Sequence, residues 1–319
     1  MGPAAPGREA TSAQSKAGPP AADARADVQT HVRASLLAAR NKDGGWPYRS
    51  GKRSRLEATC WALLALGESG DGVAALLRAW PRVDHLLQDV PGAPVNYTFN
   101  ALAAFTMLAH ADTAGDAEPV IRRLIEVKGN TYSGKMDIVE QDSSLEGWGW
   151  VDGTACWVEP TAWCVLLLKK RRQRGRNNDA DRRIAIGEAL LFDRVCRNGG
   201  WNYGNRRVYG KDLWPYVPTT ALALLALQDR PDHQAVKKSV LQMRSDLTTE
   251  RSVLALALAV LCGRAYGENT EALQDDLARR YVEAGALAER DVLAAAVMAC
   301  ALSGVNSRVF ALEPGGHRG

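Results

Sequence analysis

The sequence predicts an all-α fold, an α/α toroid of about six helical hairpins, and three observations lead there. Apolar residues come in Ala/Leu-rich blocks at helical spacing, with few of the short β-branched alternations that mark strands. Two kinds of block alternate along the chain, one apolar on nearly every side and the other charged along one face. Long Gly/Trp/Tyr-rich segments precede several blocks of the first kind.

Residues 27–40, 71–88, 117–128, 180–196, 232–245 and 270–284 are one-sided and belong at the boundary with water. Residues 57–67, 97–109, 160–170, 219–228, 250–263 and 290–303 are apolar nearly all round and must be covered on every side. No hairpin of one outer and one inner helix can bury its apolar face alone, so neighbours stack and the row closes into a ring. An open HEAT-like solenoid uses a similar alternation, but with a steadier repeat than these connections have. The loops 41–56, 129–159 and 197–218 all enter inner helices and therefore gather at one end of the ring, where function is usually carried.

At 319 residues and 46% hydrophobic content the chain can bury a sizeable core. Residues 1–26 read as a disordered Ala/Pro/Gly-rich tail without a secretory apolar core or a lipidation pattern, 27–304 as the toroid, and 305–319 as a flexible C-terminal tail. A net charge of +4 is too mild to imply a nucleic-acid partner. Cys60, Cys156, Cys164, Cys196, Cys262 and Cys300 form no CxxC pair, and four lie in apolar runs, which suits reduced, buried thiols. No run approaches the ~18–20 apolar residues that span a bilayer. The expectation is a cytoplasmic protein, with peripheral membrane contact left open.

A phrase repeats. Asp43-Gly44-Gly45-Trp46 and Asn198-Gly199-Gly200-Trp201 each follow an outer helix, where glycine supplies the positive φ of a helix stop and the Trp can lie against a neighbouring helix. Inner helices then open with Glu57-Ala58-Thr59-Cys60-Trp61 and Glu159-Pro160-Thr161-Ala162-Trp163. These residues resemble the repeats of squalene–hopene and oxidosqualene cyclases and of protein prenyltransferase β subunits, over most of 27–303. The resemblance implies an α/α toroid that processes or binds an isoprenoid, polyprenyl or triterpene, in an aromatic-lined central cavity.

The sequence departs from that family in its chemistry. The Gln that opens the cyclase repeat is replaced by Arg40 and Val195, and "EGWGW" (146–150) fits only in a shifted register. The D-x-D-D acid run is absent. Against it, Glu159 falls on the position of the family's proton donor, with Trp157 and Pro160 where other Asp residues would stand. The same comparison puts Glu57 on that position in the first unit and Pro218 in the fourth. A zinc site of the prenyltransferase kind is not expected, because Asp152 and Cys156 are four apart and no His heads a downstream inner helix. No metal and no cofactor are implied.

Candidate catalytic residues are Glu159 and Asp152, and candidate substrate-binding residues are Trp148, Trp150, Trp157, Trp46, Trp201, Tyr97 and Glu57. Indole faces can hold a cation or pack on one another. Glu57 is expected to serve its helix start by capping and dipole interaction, and the acid role is reserved for Glu159. Asp137, Glu140, Asp142 and Glu146 read as a solvated loop. Lys169, Lys170, Arg171, Arg172, Arg174 and Arg176 form a basic run at the ring end opposite the Trp-rich loops, either a solvated turn or a contact with an anionic membrane.

Three readings follow: an isoprenoid enzyme with a non-standard acid, a non-catalytic module that binds an apolar ligand, and a carbohydrate-active α/α enzyme with Glu57 and Glu159 facing across the pore. A closed dry cavity with a perturbed carboxylic acid favours the first. The same cavity without the acid favours the second, and an open groove, polar on one wall and aromatic on the other, favours the third.

Overall fold

The computed structural model describes residues 21–67, 70–110, 113–133, 138–304 and 306–313. Asp137, residues 1–20 of the first expected tail, and residues 305 and 314–319 of the second lie outside them. The outer helices are α1 (Ala21–Ala38), α3 (Gly70–Arg78), α5 (Ala114–Glu126), α7 (Asn178–Asp193), α9 (Gln234–Leu247) and α11 (Glu271–Ala284). The inner helices are α2 (Leu56–Leu66), α4 (Tyr97–Leu108), α6 (Val158–Arg172), α8 (Val217–Ala226), α10 (Val253–Ala265) and α13 (Val292–Leu302), with a short α12 (Ala286–Arg290) before the last. Each inner helix packs on the next, and α13 packs back on α2. That contact closes the ring and rules out the open solenoid. Among the described residues no helix is long and apolar enough to cross a membrane.

Three boundaries move. Helix α1 begins at Ala21, inside the stretch expected to be a disordered tail, and Arg25 pairs with Asp275 of α11 at 2.9 Å. The helix expected over 71–88 stops at Arg78, because Pro81 cannot continue it. An antiparallel hairpin follows, β1 (Arg82–Val83) with β2 (Leu86–Leu87), which buries Leu86 and Leu87. A second hairpin, β3 (Arg207–Val208) with β4 (Lys211–Asp212), lies in the loop before α8. The third change is the segment after α13, treated below.

The repeated phrase is one device used three times. The Trp46, Trp148 and Trp201 indole N–H groups donate to the carbonyls of Leu36, Leu124 and Leu191, near the C-terminal ends of α1, α5 and α7, each at 2.7 Å. The backbone N–H of each Trp is accepted by the hydroxyl of a Thr in the next inner helix, Thr59, Thr161 or Thr220, at 2.9–3.1 Å. The Thr hydroxyl occupies the space beside the residue before each Trp. A Cβ there would lie 2.7–3.1 Å from it, so only glycine fits at Gly45, Gly147 and Gly200. All three Trp are fully buried. Arg40, in the place of the expected Gln, lies 4.6 Å over the Trp46 ring, and Arg183 lies 4.0 Å over Trp148.

The other end of the ring is sealed. Residues Asn306–Phe310, expected to belong to a flexible tail, form a 3-10 turn, and the Phe310 side chain is completely buried. Its ring stacks on Trp61 and Phe105 at 5.4 and 5.2 Å and meets Trp163 at 6.5 Å. The ends of four inner helices hold the segment: Asn306 donates to the Ala65 carbonyl, Gln228 to the Phe310 carbonyl, Lys170 to the Ala311 carbonyl, and Arg264 to Ser307. Residue 305 and residues 314–319 are outside the described part.

The basic run belongs to the same floor. Lys169 is buried and pairs with Glu188 at 2.6 Å and with Asp229, while donating to the Ala226 carbonyl at 2.7 Å. Arg171 pairs with Glu118, Arg172 with Asp229 and Asp181, and Arg174 donates to the Leu108 carbonyl. Arg176, its side chain 89% exposed, faces Asp181 at 3.8 Å. Five of these six basic side chains are therefore engaged with acids or helix-end carbonyls within the chain.

Candidate functional site

Because inner helices alternate with outer ones of opposite direction, all inner N-termini lie at the mouth end. The second residue of α2 is Glu57, of α6 Glu159 and of α8 Pro218. One turn further along each helix comes a large apolar side chain, Trp61, Trp163 or Leu222. These six residues, with Tyr203, Thr219, Leu254, Leu258 and Leu293, line a cavity of about 170 Å³ inside the ring. Trp61 and Trp163 meet edge to face at 5.8 Å and form its base, resting on Phe310. Leu222, Leu254, Leu258 and Leu293 make an apolar wall.

Glu57 is not the cap of its helix. The Leu56 N–H donates to Asp89 Oδ1 at 2.8 Å, and Arg55 Nε donates to the other Asp89 oxygen at 2.7 Å, so the start of α2 is already served from the loop before α4. The Glu57 carboxylate instead accepts the Tyr48 phenol at 2.7 Å on Oε2 and faces the cavity. Arg55 lies 4.6 Å over the Tyr48 ring and fixes the phenol from behind. Burial pushes the Glu57 carboxyl up to about 7. The Tyr48 hydrogen bond opposes that shift, and the charge of Glu159 adds to it.

Glu159 enters the same cavity from α6. Burial raises its pKa, and a hydrogen bond from the Trp150 indole opposes the rise. Repulsion between the two carboxylates disfavours ionising both, and Glu57, pushed up to about 7, holds its proton below that pH. An apolar chamber with a protonated and an ionised carboxyl can give a proton to an oxygen at one point and stabilise positive charge at another.

Placement divides the other candidates. Trp150 and Trp157 pack at a tilt with ring centroids 5.1 Å apart, Trp150 meets Tyr203 at 6.1 Å, and Tyr203 meets Tyr216 at 5.6 Å, so an aromatic row runs along the mouth. Trp46, Trp148 and Trp201 do not line the cavity, because their indoles are spent on the repeat device. Tyr97 is also buried away from it, its N–H donating to the Trp150 carbonyl at 2.8 Å. Asp152 is exposed in the loop and is no part of the chamber. Tyr48, Trp61, Trp163 and the leucine wall were missed as site residues. The spacing of four between Glu57 and Trp61, repeated in Glu159 and Trp163, was the signal that could have found the two Trp. Among the described residues no group of three His, Cys, Asp or Glu side chains is placed to hold a metal ion.

Comparison with solved structures bears on the fold. The chain matches a family 76 glycoside hydrolase (mannosidase) of Bacteroides thetaiotaomicron VPI-5482 over 89% of its own length and 98% of that chain, at 12% identity and a TM-score of 0.62. The fold is an α/α toroid. A second family 76 glycoside hydrolase, from a bovine Bacteroides thetaiotaomicron strain, matches over 86% of this chain and 77% of that one at 10% identity, TM-score 0.57. A type II terpene cyclase from Scytonema covers 90% of this chain and 80% of its own at 15% identity, TM-score 0.44. No family model matches the sequence. No curated protein matches it either.

Proposed function

We propose that the chain is an acid–base enzyme that cleaves or opens a C–O bond in a small isoprenoid-type substrate. The observation that supports this most is the pair of carboxyls, Glu57 and Glu159, on one apolar cavity whose far end is sealed. Glu57 gives its proton to the departing oxygen as the C–O bond breaks, and the bonding electrons leave with that oxygen. The Trp61 and Trp163 faces and ionised Glu159 stabilise the positive charge left on carbon. Glu159 then takes a proton from the adjacent carbon as an alkene forms, and solvent exchange returns the pair to its starting state. An engineered void of about 150 Å³ takes one benzene, so this chamber admits about one prenyl unit and a whole triterpene exceeds it several-fold. Longer substrates would leave the rest of their length along the aromatic mouth.

A second reading keeps the chemistry and changes the substrate. Two carboxyls on one cavity beside the Trp157–Trp150–Tyr203–Tyr216 row would also suit cleavage of a glycosidic bond. The leucine wall weighs against it, since a sugar would leave hydroxyls unpaired there.

Prenyl alcohols, prenyl epoxides and α-mannosides offered in parallel to the wild-type chain, Glu57→Gln and Glu159→Gln separate the possibilities. The proposal expects turnover of a prenyl substrate, a loss of roughly 10²–10⁴-fold in Glu57→Gln, and a rate that falls as pH rises through about 7. Turnover of the mannosides alone would transfer the same carboxyls to the second reading. Prenyl binding without turnover of any substrate would leave a non-catalytic binding module.

A further inference from the structure

We propose that the β3–β4 hairpin and the segment after it form a docking surface for an anionic lipid surface, with the mouth of the cavity turned toward it. This goes beyond the chemistry assigned to the cavity and does not depend on it. Within residues 203–216, Tyr203, Tyr209, Leu213, Trp214 and Tyr216 are all exposed, Tyr209 at 74% and Trp214 at 72%. Ile138, also exposed, is bound to the hairpin through its carbonyl, which accepts the Tyr209 N–H at 2.9 Å. Most other large apolar side chains of the ring are buried, so the concentration on one hairpin is not a general property of the surface.

The turn itself carries a local cost. Tyr209 and Gly210 link β3 to β4 with φ of 48° and 71°, the left-handed pair of a tight hairpin that favours Asn or Gly at both positions. The hairpin β1–β2 has the same backbone signs at Asp84 and His85, and it places polar side chains there. A tyrosine at such a position, 74% exposed, returns little burial to the fold. It does give the hairpin a ring at its tip.

Charge points to the occupant. Beside the hairpin, Arg197, Arg206 and Arg207 line a groove of about 310 Å³ with Glu140 and Asp212. Arg197 pairs with Asp212 at 2.9 Å and Arg207 with Glu140 at 3.0 Å, which leaves the charges of Arg206 and of exposed Lys211 in excess. Tyr and Trp rings settle at the level of lipid headgroups, one edge apolar and one wet, and neighbouring cations meet the headgroup phosphates. Tyr203 joins the patch to the interior, because it also lines the cavity. A polysaccharide would use the rings and have no need of the cations.

The test is flotation of the full chain with vesicles of phosphatidylcholine alone and of phosphatidylcholine mixed with phosphatidylglycerol. Wild type should float with the mixed vesicles, less so as salt is added. Replacing Arg206 or Lys211 by Gln should weaken partition by about fivefold each. The double variant Y209S/W214S should lose partition by about tenfold or more while keeping its circular dichroism spectrum, since both side chains are exposed. Vesicles should also shift wild-type Trp emission to the blue, and W214F should abolish that shift. The proposal fails if wild type does not float, or if Y209S/W214S floats as wild type does. It also fails if flotation is lost only through R176Q at the opposite end, or if the same rings retain the chain on an insoluble mannan and not on vesicles.

Discussion

The two ends of the ring both bury charge, and they treat it in opposite ways. At the floor Lys169 is enclosed with two acids and a carbonyl, every proton of its ammonium accounted for. At the mouth Glu57 and Glu159 share an apolar chamber, each with one aromatic donor and no cation of its own inside it. The floor resembles what a fold does to make a buried charge tolerable, whereas the mouth keeps an arrangement that destabilises it. The contrast separates the part of the molecule that holds the ring closed from the part available for chemistry.

Lys169→Ala should give the largest effect, because it opens a void and takes the buried cation from between Glu188 and Asp229, leaving them to the more exposed Arg230 and Arg172. A loss of about 3–5 kcal/mol in denaturant unfolding is expected, and a loss below about 1 kcal/mol would erase the contrast from the floor side. Glu57→Gln should act in the reverse sense. The Glu57 carboxyl has a folded pKa of about 7 against a reference of 4.5, so the native state binds the extra proton between those values. Wild-type stability should therefore be fullest below about pH 4.5 and fall as pH rises to about 7, by up to about 3 kcal/mol. The variant should lose most of that slope when unfolding is followed from pH 4 to 8. The smallest effect is expected from Tyr48→Phe, which removes the one hydrogen bond favouring ionised Glu57 and should raise its titration midpoint by about one pH unit.

The ring was legible in the sequence because six helices apolar all round can be covered only by one another and by outer helices. Other parts depended on partners far along the chain. Lys169 looked like the first residue of a solvated run, and its acids stand 19 and 60 positions away, at Glu188 and Asp229. Phe310 sits in a segment too short to show a period, so nothing marked it as the floor. For Glu57, the sequence offered a sound structural role at a helix start. That role was already filled by Asp89, which leaves the carboxyl free to face Glu159. Of the candidate Trp residues, Trp46, Trp148 and Trp201 are framework, whereas Trp150, which also follows a glycine, and Trp157 reach the mouth, a division that depends on which indole N–H meets a helix end.

The central claim, that the mouth keeps a proton between two carboxyls, is most directly tested by carboxyl titration of the chain labelled with ¹³C at the glutamate side chains. The account predicts one resonance titrating near pH 7 that is absent in Glu57→Gln and whose midpoint moves down in Glu159→Gln, which removes the charge that helps to raise it. Both glutamates titrating independently near 4.5 would contradict it, and would make them ordinary residues at helix starts.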